Sequence, residues 1–310
     1  MRIVFMGSSD FSKACLDALA RCSSHSILRV VTQPDRPKGR GLAPAPSVVR
    51  KAAEEMNLPV MTAQDVNSPD VVAALSALRP DAIVVVAFGQ ILKKNILALP
   101  PKGCLNVHAS LLPRHRGAAP IQGAILSGDK VSGVTVIEMN ERLDAGDILG
   151  QEEVPIDDED TGGSLHDKLA RAGAGLMIRV LDEVERGEVS RRKQDDAQAT
   201  FAPKLKREDG RIDWKSSAGN LHLRIRAFNP WPGCFAIQPE DGSQVKIWRS
   251  RAEQGAGNPG EILDVSDEGP LVAAGNGALR LLEVQPEARR WMDGASYARG
   301  RRLRPGMRFA

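Results

Sequence analysis

An Asn and a His stand two residues apart in "NVHASLLPRHRGAAPIQ", Asn106 to Gln122, just ahead of Ser110, Leu111, Leu112 and Pro113. On a β-strand, residues i and i+2 share a face, so Asn106 and His108 project together while Val107 turns to the other side. An amide donates two hydrogen bonds, and an imidazole donates one or, when protonated, carries a positive charge. Together they suit an oxygen that becomes negative while an acyl group changes hands. Such a transfer also needs a group that moves protons. The loop "LDAGD", one strand further on, offers Asp144 as the candidate and Asp147 as its competitor; either could pair with His108 and accept a proton directly or through water. Both kinds of residue have plainer uses, since a strand His is commonly a satisfied core residue and an Asp before Ala-Gly commonly forms a turn.

The remaining reactive side chains offer less. Cys104, in "GCLNV", reads as a buried strand residue rather than a nucleophile. The four cysteines form no C-x-x-C pair and no zinc-like cluster with His, which argues against a disulfide framework and a structural metal. His25, His166 and His222 stand in loop or helix contexts as structural or solvated residues, and His115, between two Arg, reads as part of an exposed loop.

The elements that must hold this chemistry alternate. "RIVFMG", a helix from Asp10 to about Cys22, "ILRVVTQ", a helix near Ser47 to Met56, "VMTA", a third helix to about Leu78 and "DAIVVVAFG" follow one another. Strands alternating with helices, one of them apolar on both faces, predict a doubly wound, Rossmann-like α/β domain with a parallel sheet covered on both sides. "CLNVHAS" supplies the next strand, and ligands of such sheets bind beyond the carboxyl ends of the strands, where Asn106 and His108 would lie. A helix near Ala119 to Leu126, the strands "VSGVTVIEMN" and "ILGQEEVPI", and a long helix from about Ser164 to Glu185 complete the domain. The first strand-to-helix turn, "GSSDFS", has one glycine where a dinucleotide site needs three, which excludes NAD or NADP there.

At 310 residues the chain suits two domains. The polar stretch "SRRKQDDAQATFAPKLKRED" has no sustained apolar period and reads as a linker over 189–208, separating a catalytic domain, 1–188, from a smaller domain, 209–310. After a helix near Ser216 to Ala227, the second domain carries five short strands, "CFAIQ", "QVKIWRS", "GEILDVS", "PLVAAG" and "ALRLLEVQP", which predict a small OB-like β-barrel. From Phe201 onward the chain has 18 Lys and Arg against 13 Asp and Glu, whereas the first 200 residues have 24 against 26. That basic balance would draw a phosphate-rich partner. The N-terminal apolar run of four residues is too short for a secretory signal, and no segment reaches the roughly 20 apolar residues of a membrane span, so the expectation is a soluble cytoplasmic protein.

"NVHASLLPRHRGAAPIQ" and "GVTVIEMNERLDAGDIL" together resemble the folate-dependent formyltransferases. The likeness extends through "MGSSDFS", "TQPDRPKGRG", "RIDW" and "RAFNPWPG", and thus over essentially the whole chain. It implies that Asn106, His108 and Asp144 form the catalytic set and that Ser110, Leu111, Leu112 and Pro113 line the folate site. It implies 10-formyltetrahydrofolate as donor, the α-amino group of methionine on initiator tRNA as acceptor, no metal and no covalent enzyme intermediate. Arg40 would participate in a loop that approaches the tRNA acceptor end, although Leu42 and Ala43 stand where family members often have a Lys pair. Ala109 replaces a frequent Gly. In the second domain Arg224 and Arg226 are the candidates for tRNA contact, while Trp231, between Pro230 and Pro232, reads as a packed corner of the barrel. Two domains clamping one tRNA suggest a monomer. The alternatives are a formyltransferase acting on another amine, such as an amino-sugar nucleotide, a hydrolase passing formyl to water, and a non-catalytic RNA-binding protein of the same fold.

Overall fold

The computed structural model describes residues 1–38, 43–238 and 241–310, so Arg40 and Leu42 lie outside the described residues. The elements run β1 (Arg2–Gly7), α1 (Asp10–Arg21), β2 (Ser26–Thr32), β3 (Arg36–Lys38), β4 (Ala43–Ala45), α2 (Val48–Glu55), β5 (Val60–Thr62), α3 (Pro69–Ala77), β6 (Ala82–Val86), α4 (Lys94–Leu97), β7 (Cys104–His108) and β8 (Arg116–Gly117). They continue with α5 (Pro120–Leu126), β9 (Val131–Glu138), β10 (Asp147–Pro155), α6 (Gly162–Arg186), β11 (Phe201–Ala202), α7 (Ala218–Ala227), β12 (Cys234–Ile237), β13 (Gln244–Glu253), β14 (Ile262–Ser266), β15 (Gly269–Ala273), β16 (Ala278–Pro286), β17 (Met292–Asp293) and α8 (Gly294–Gly300).

A seven-stranded sheet in the order β10-β9-β7-β6-β1-β2-β5 organises the first part of the chain. Its strands from β5 to β7 are parallel, as the alternation of strands and helices predicts, and β6 and β7 are buried along their whole lengths. The sheet is mixed rather than purely parallel, because β9 runs antiparallel to β7 and β10 antiparallel to β9. The register sets Glu138, the last residue of β9, opposite Leu105 near the amino end of β7, and the loop between β9 and β10 then places Asp144 3.7 Å from His108 at the carboxyl end. Helix α1 starts at Ser9, whose hydroxyl accepts from the Ser12 N–H in a capping box, and the Ser12 hydroxyl donates to the Val86 carbonyl at 2.5 Å. Those hydroxyls fill the first βα turn and tie β1 to β6.

Residues 121–130, 156–165 and 203–310 form a compact unit of their own, distinct from the unit made by residues 1–120, 131–155 and 166–202. The polar stretch from Arg192 to Ala202, expected to be part of a tether, is thus laid along the first unit. The second unit is built on an antiparallel sheet, β12-β13-β16-β15-β14, with β17 pairing β16. The last residues join its two edges: Met307 and Ile262 are hydrogen-bonded on one side, and Ala310 and Ile237 exchange two backbone bonds on the other. Edge strands with unpaired amides invite association, and this tail removes that exposure by closing the barrel.

Helix α7 is capped by the Ser217 hydroxyl and packs against β13, where His222 Nδ1 lies 3.3 Å from the Ser250 hydroxyl. Burial, and secondarily the Arg226 guanidinium, push the His222 imidazole below its ordinary value of 6.5, while Glu159 and Asp158 act the other way. A His whose folded value is depressed binds a proton more readily in the unfolded chain, so its contribution is complete above about 6.5 and is lost as pH falls from there. Thermal melts of the whole protein between pH 7.5 and 5 are expected to fall less steeply for His222→Gln than for the wild type; identical slopes would rule His222 out as the source.

Candidate active site

His108 is the last residue of β7 and is almost wholly buried, with Thr135 of β9 as its register partner. Its Nε2 lies 3.0 Å from the His115 carbonyl oxygen, and because that oxygen can only accept, Nε2 carries the hydrogen. The other ring nitrogen, Nδ1, faces Asp144 Oδ2 at 3.7 Å. Asp144 is therefore the carboxylate brought to His108, whereas Asp147 opens β10 opposite Glu138. The Asp144 backbone is left-handed, with φ +48°, and its Oδ2 accepts a 2.9 Å hydrogen bond from the Gly117 N–H.

Asn106 lies in register with Val85 of β6 and Ile137 of β9. Its side chain is buried on the strand, yet the amide has no hydrogen-bond partner among the described residues. Its amide atoms are not among the fully buried ones that lack a partner, so they reach solvent and their donors are open to whatever enters from it. An oxygen that arrives with a substrate is a partner such donors can take.

The four residues after Ala109 divide by exposure. Ser110 and Leu112 are buried and build the turn, while Leu111 and Pro113 keep part of their apolar surface open. The Leu112–Pro113 bond is cis. Thr135 threads this turn from the next strand: its hydroxyl donates to the Ser110 carbonyl at 2.6 Å and accepts from the Leu112 N–H at 3.1 Å. Gln151 of β10 donates to both the Leu112 carbonyl, at 2.9 Å, and Thr135 Oγ1, at 3.0 Å.

His115 is buried rather than exposed, with 5% of its surface accessible and φ +57°. The chain turns inward there because the Thr200 hydroxyl accepts from the His115 N–H at 2.8 Å and the Thr200 carbonyl accepts from the Arg116 N–H at 2.8 Å. Residues Phe201 and Ala202 then pair in parallel with Arg116 and Gly117. Gly117 permits this approach: its φ is +119°, and a Cβ there would come within 2.6 Å of the Ala202 carbonyl oxygen. Thr135 carried a sequence signal, a polar residue inside an apolar strand. Thr200 carried none, since its partners lie 85 residues away.

Cys104 is buried at the start of β7, with its thiol pushed up to about 12 by burial and then by the charge of Glu138, as suits a packing residue rather than a nucleophile. In the second unit, Arg224 donates to the Asp209 carbonyl and lies 4.9 Å over the Phe228 ring, and Arg226 donates to the carbonyls of Asp160 at 2.9 Å and Asp157 at 2.7 Å. Both guanidiniums thus bind backbone oxygens of their own unit. Trp231 is not a packed corner: 54% of its surface is exposed. Phe228 occupies the apolar position beneath that turn, which closes through a bond from the Gly233 N–H to the Phe228 carbonyl and leaves the indole outside.

Residues 1–181 match the model of the formyl transferase family, and residues 204–302 match that of the formyl transferase C-terminal domain. The chain belongs to the formyl transferase family. This formyl transferase is 42% identical over 309 residues to the methionyl-tRNA formyltransferase of Geobacter metallireducens, covering 100% of this chain and 98% of that one. It is 47% identical over 285 residues to the methionyl-tRNA formyltransferase of Pseudomonas entomophila, covering 92% of this chain and 91% of that one. Among solved structures it is similar to WlaRD, a sugar 3N-formyl transferase determined in the presence of dTDP and 5-N-formyl-THF, with a TM-score of 0.66 at 17% identity over 94% of this chain and 99% of that one. At that identity the likeness is one of fold. The mixed sheet and the separate antiparallel unit of this formyl transferase are therefore features it shares with enzymes that place formyl groups on different amines.

Proposed function

We propose that this formyl transferase moves the formyl group of 10-formyltetrahydrofolate to the α-amino group of methionyl initiator tRNA, the modification that marks the tRNA for translation initiation. What supports the acceptor is the near-complete, two-domain similarity to proteins named methionyl-tRNA formyltransferase at 42–47% identity. What supports the chemistry is the partnerless Asn106 amide beside a His108 that faces Asp144.

In this reading the amine nitrogen forms a bond to the formyl carbon, and the carbonyl π pair moves onto oxygen. Asn106 donates to that oxyanion, and the second donor is the Nδ1–H that His108 gains on protonation, which faces Asp144 at 3.7 Å without being hydrogen-bonded to it. The proton leaving the amine passes to the Asp144 and His108 pair and is returned to the N10 nitrogen of the folate as the bond from N10 to the formyl carbon breaks. Leu111 and Pro113 offer the flat folate ring an apolar wall, while Ser110 and Leu112 keep that wall in place. Neither a metal nor an acyl-enzyme takes part. The catalytic domain is residues 1–188, and residues 209–310 contribute basic surface to the tRNA backbone, where counterion release favours binding. Arg40 remains the residue of the first domain assigned to the acceptor end, and Arg224 and Arg226 act on RNA only with whatever edges their carbonyl bonds leave open. The enzyme works as a cytoplasmic monomer.

A formyl-labelled donor offered separately to methionyl initiator tRNA, to an amino-sugar nucleotide and to water tests the assignment. Label is expected on the aminoacyl-tRNA, with a rate that falls as salt rises. Transfer to the sugar nucleotide with none to the tRNA would replace the acceptor, and label released only as formate would replace the reaction class.

A further inference from the structure

The polar strap from Arg192 to Ala202 does more than cover the first unit. Its one inward side chain among Arg191 to Gln198, Gln194, lies between two loops that both touch His108. On one side the Gln194 amide nitrogen donates to the Asp144 carbonyl and to the Gly146 carbonyl, each at 2.8 Å. On the other side its oxygen accepts from Arg116 Nε at 3.1 Å and Nη2 at 2.7 Å. Arg116 is buried, with 3% of its surface accessible, and stands between His115, whose carbonyl holds His108, and Gly117, whose N–H holds Asp144. Asp196 extends the bridge by accepting from Arg116 Nη2 at 2.8 Å and from Arg142 at 2.6 Å. The two arginines, Arg142 first, hold the Asp196 carboxyl below its usual range, so the bridge keeps its charge through neutral and mildly acidic solution.

We propose that Gln194 is a positioning residue for Asp144, setting the separation of Asp144 from His108 by fastening the Asp144 loop to the Arg116 segment. The proposal rests on the reading of Asp144 and His108 as the proton-handling pair. Glutamine suits the task chemically: one end presents two N–H donors to two carbonyls, and the other presents an acceptor to a guanidinium. A glutamate there has no donor for the carbonyls, and a lysine has no acceptor for the arginine. Gly146 shows how closely the loop is set, because a Cβ at that position would overlap the Glu138 carbonyl. With no slack in the loop backbone, the Gln194 bonds bear directly on where the neighbouring carboxylate points.

Formyl-transfer kinetics of Gln194→Ala, Gln194→Glu, Asp144→Asn and the double variant Gln194→Ala/Asp144→Asn test this, each checked for wild-type circular dichroism. Misplacing a reacting group by about 1 Å costs on the order of 10²-fold, so kcat of Gln194→Ala is expected to fall about 10- to 100-fold with KM for both substrates within about two-fold. Gln194→Glu keeps the contact to Arg116 and folds, yet is expected to lose a similar amount. On the Asp144→Asn background, Gln194→Ala is expected to cost less than about two-fold more, since a residue acting through Asp144 has nothing left to position. A Gln194→Ala or Gln194→Glu enzyme with wild-type kcat, or losses that multiply in the double variant, would overturn the assignment while leaving the site intact if Asp144→Asn keeps only a measurable fraction of wild-type kcat. Wild-type activity of Asp144→Asn would instead remove the underlying reading of the pair.

Discussion

Asn106→Ala is expected to fold like the wild type and to lose about 10²- to 10³-fold in kcat, the usual cost of removing one donor from a developing oxyanion. The expectation on stability is as specific as the one on rate. Because the Asn106 amide has no hydrogen-bond partner among the described residues and still reaches solvent, its removal breaks no internal bond and strands no buried group. The melting temperature should therefore change little while activity collapses. A residue kept for packing would behave in the opposite way, losing stability first. Asn106→Ala activity within a few-fold of wild type would sink the oxyanion role, and a lower melting temperature with a proportionate loss of activity would point to a structural one.

What could be read in the chain depended on how far apart the interacting residues lie. The Asn106 and His108 pair was legible because strand alternation acts over two residues, and the alternation of strands and helices carried the parallel part of the sheet. The choice between Asp144 and Asp147 was not, since both sit in one tight loop and only the left-handed turn at Asp144 decides which carboxylate faces the ring. His115 looked exposed because it stands between two arginines. The reason it is buried, the backbone pairing of 115–117 with Thr200 to Ala202, is a contact between segments about 85 residues apart with no apolar pattern on either. The strap itself read as a linker for the same reason: its attachment runs through amides, hydroxyls and a guanidinium, and periodicity records only apolar burial. Trp231 misled in the other direction, because flanking prolines indicate a rigid turn without indicating which face the aromatic takes.

Asp144→Asn separates charge from geometry at the same centre. The amide oxygen of Asn can still accept from the Gly117 N–H, and the backbone carbonyl still receives Gln194, so the loop is expected to keep its place and the melting temperature to change little. What disappears is the negative charge 3.7 Å from His108 Nδ1 and the ability to take up a proton there. Loss of general acid–base assistance typically costs about 10²- to 10⁴-fold, and kcat should fall in that range with the KM for tRNA and folate nearly unchanged. Removing this carboxylate should also change the pH–rate profile of the reaction. Full activity with an unaltered profile would assign proton transfer to another group. An unaltered profile with a large rise in KM would make Asp144 a binding residue. An inactive Asp144→Asn together with an inactive, fully folded Asn106→Ala would place charge stabilisation on β7 and proton transfer in the loop between β9 and β10, with the distant strap setting only the geometry of that loop.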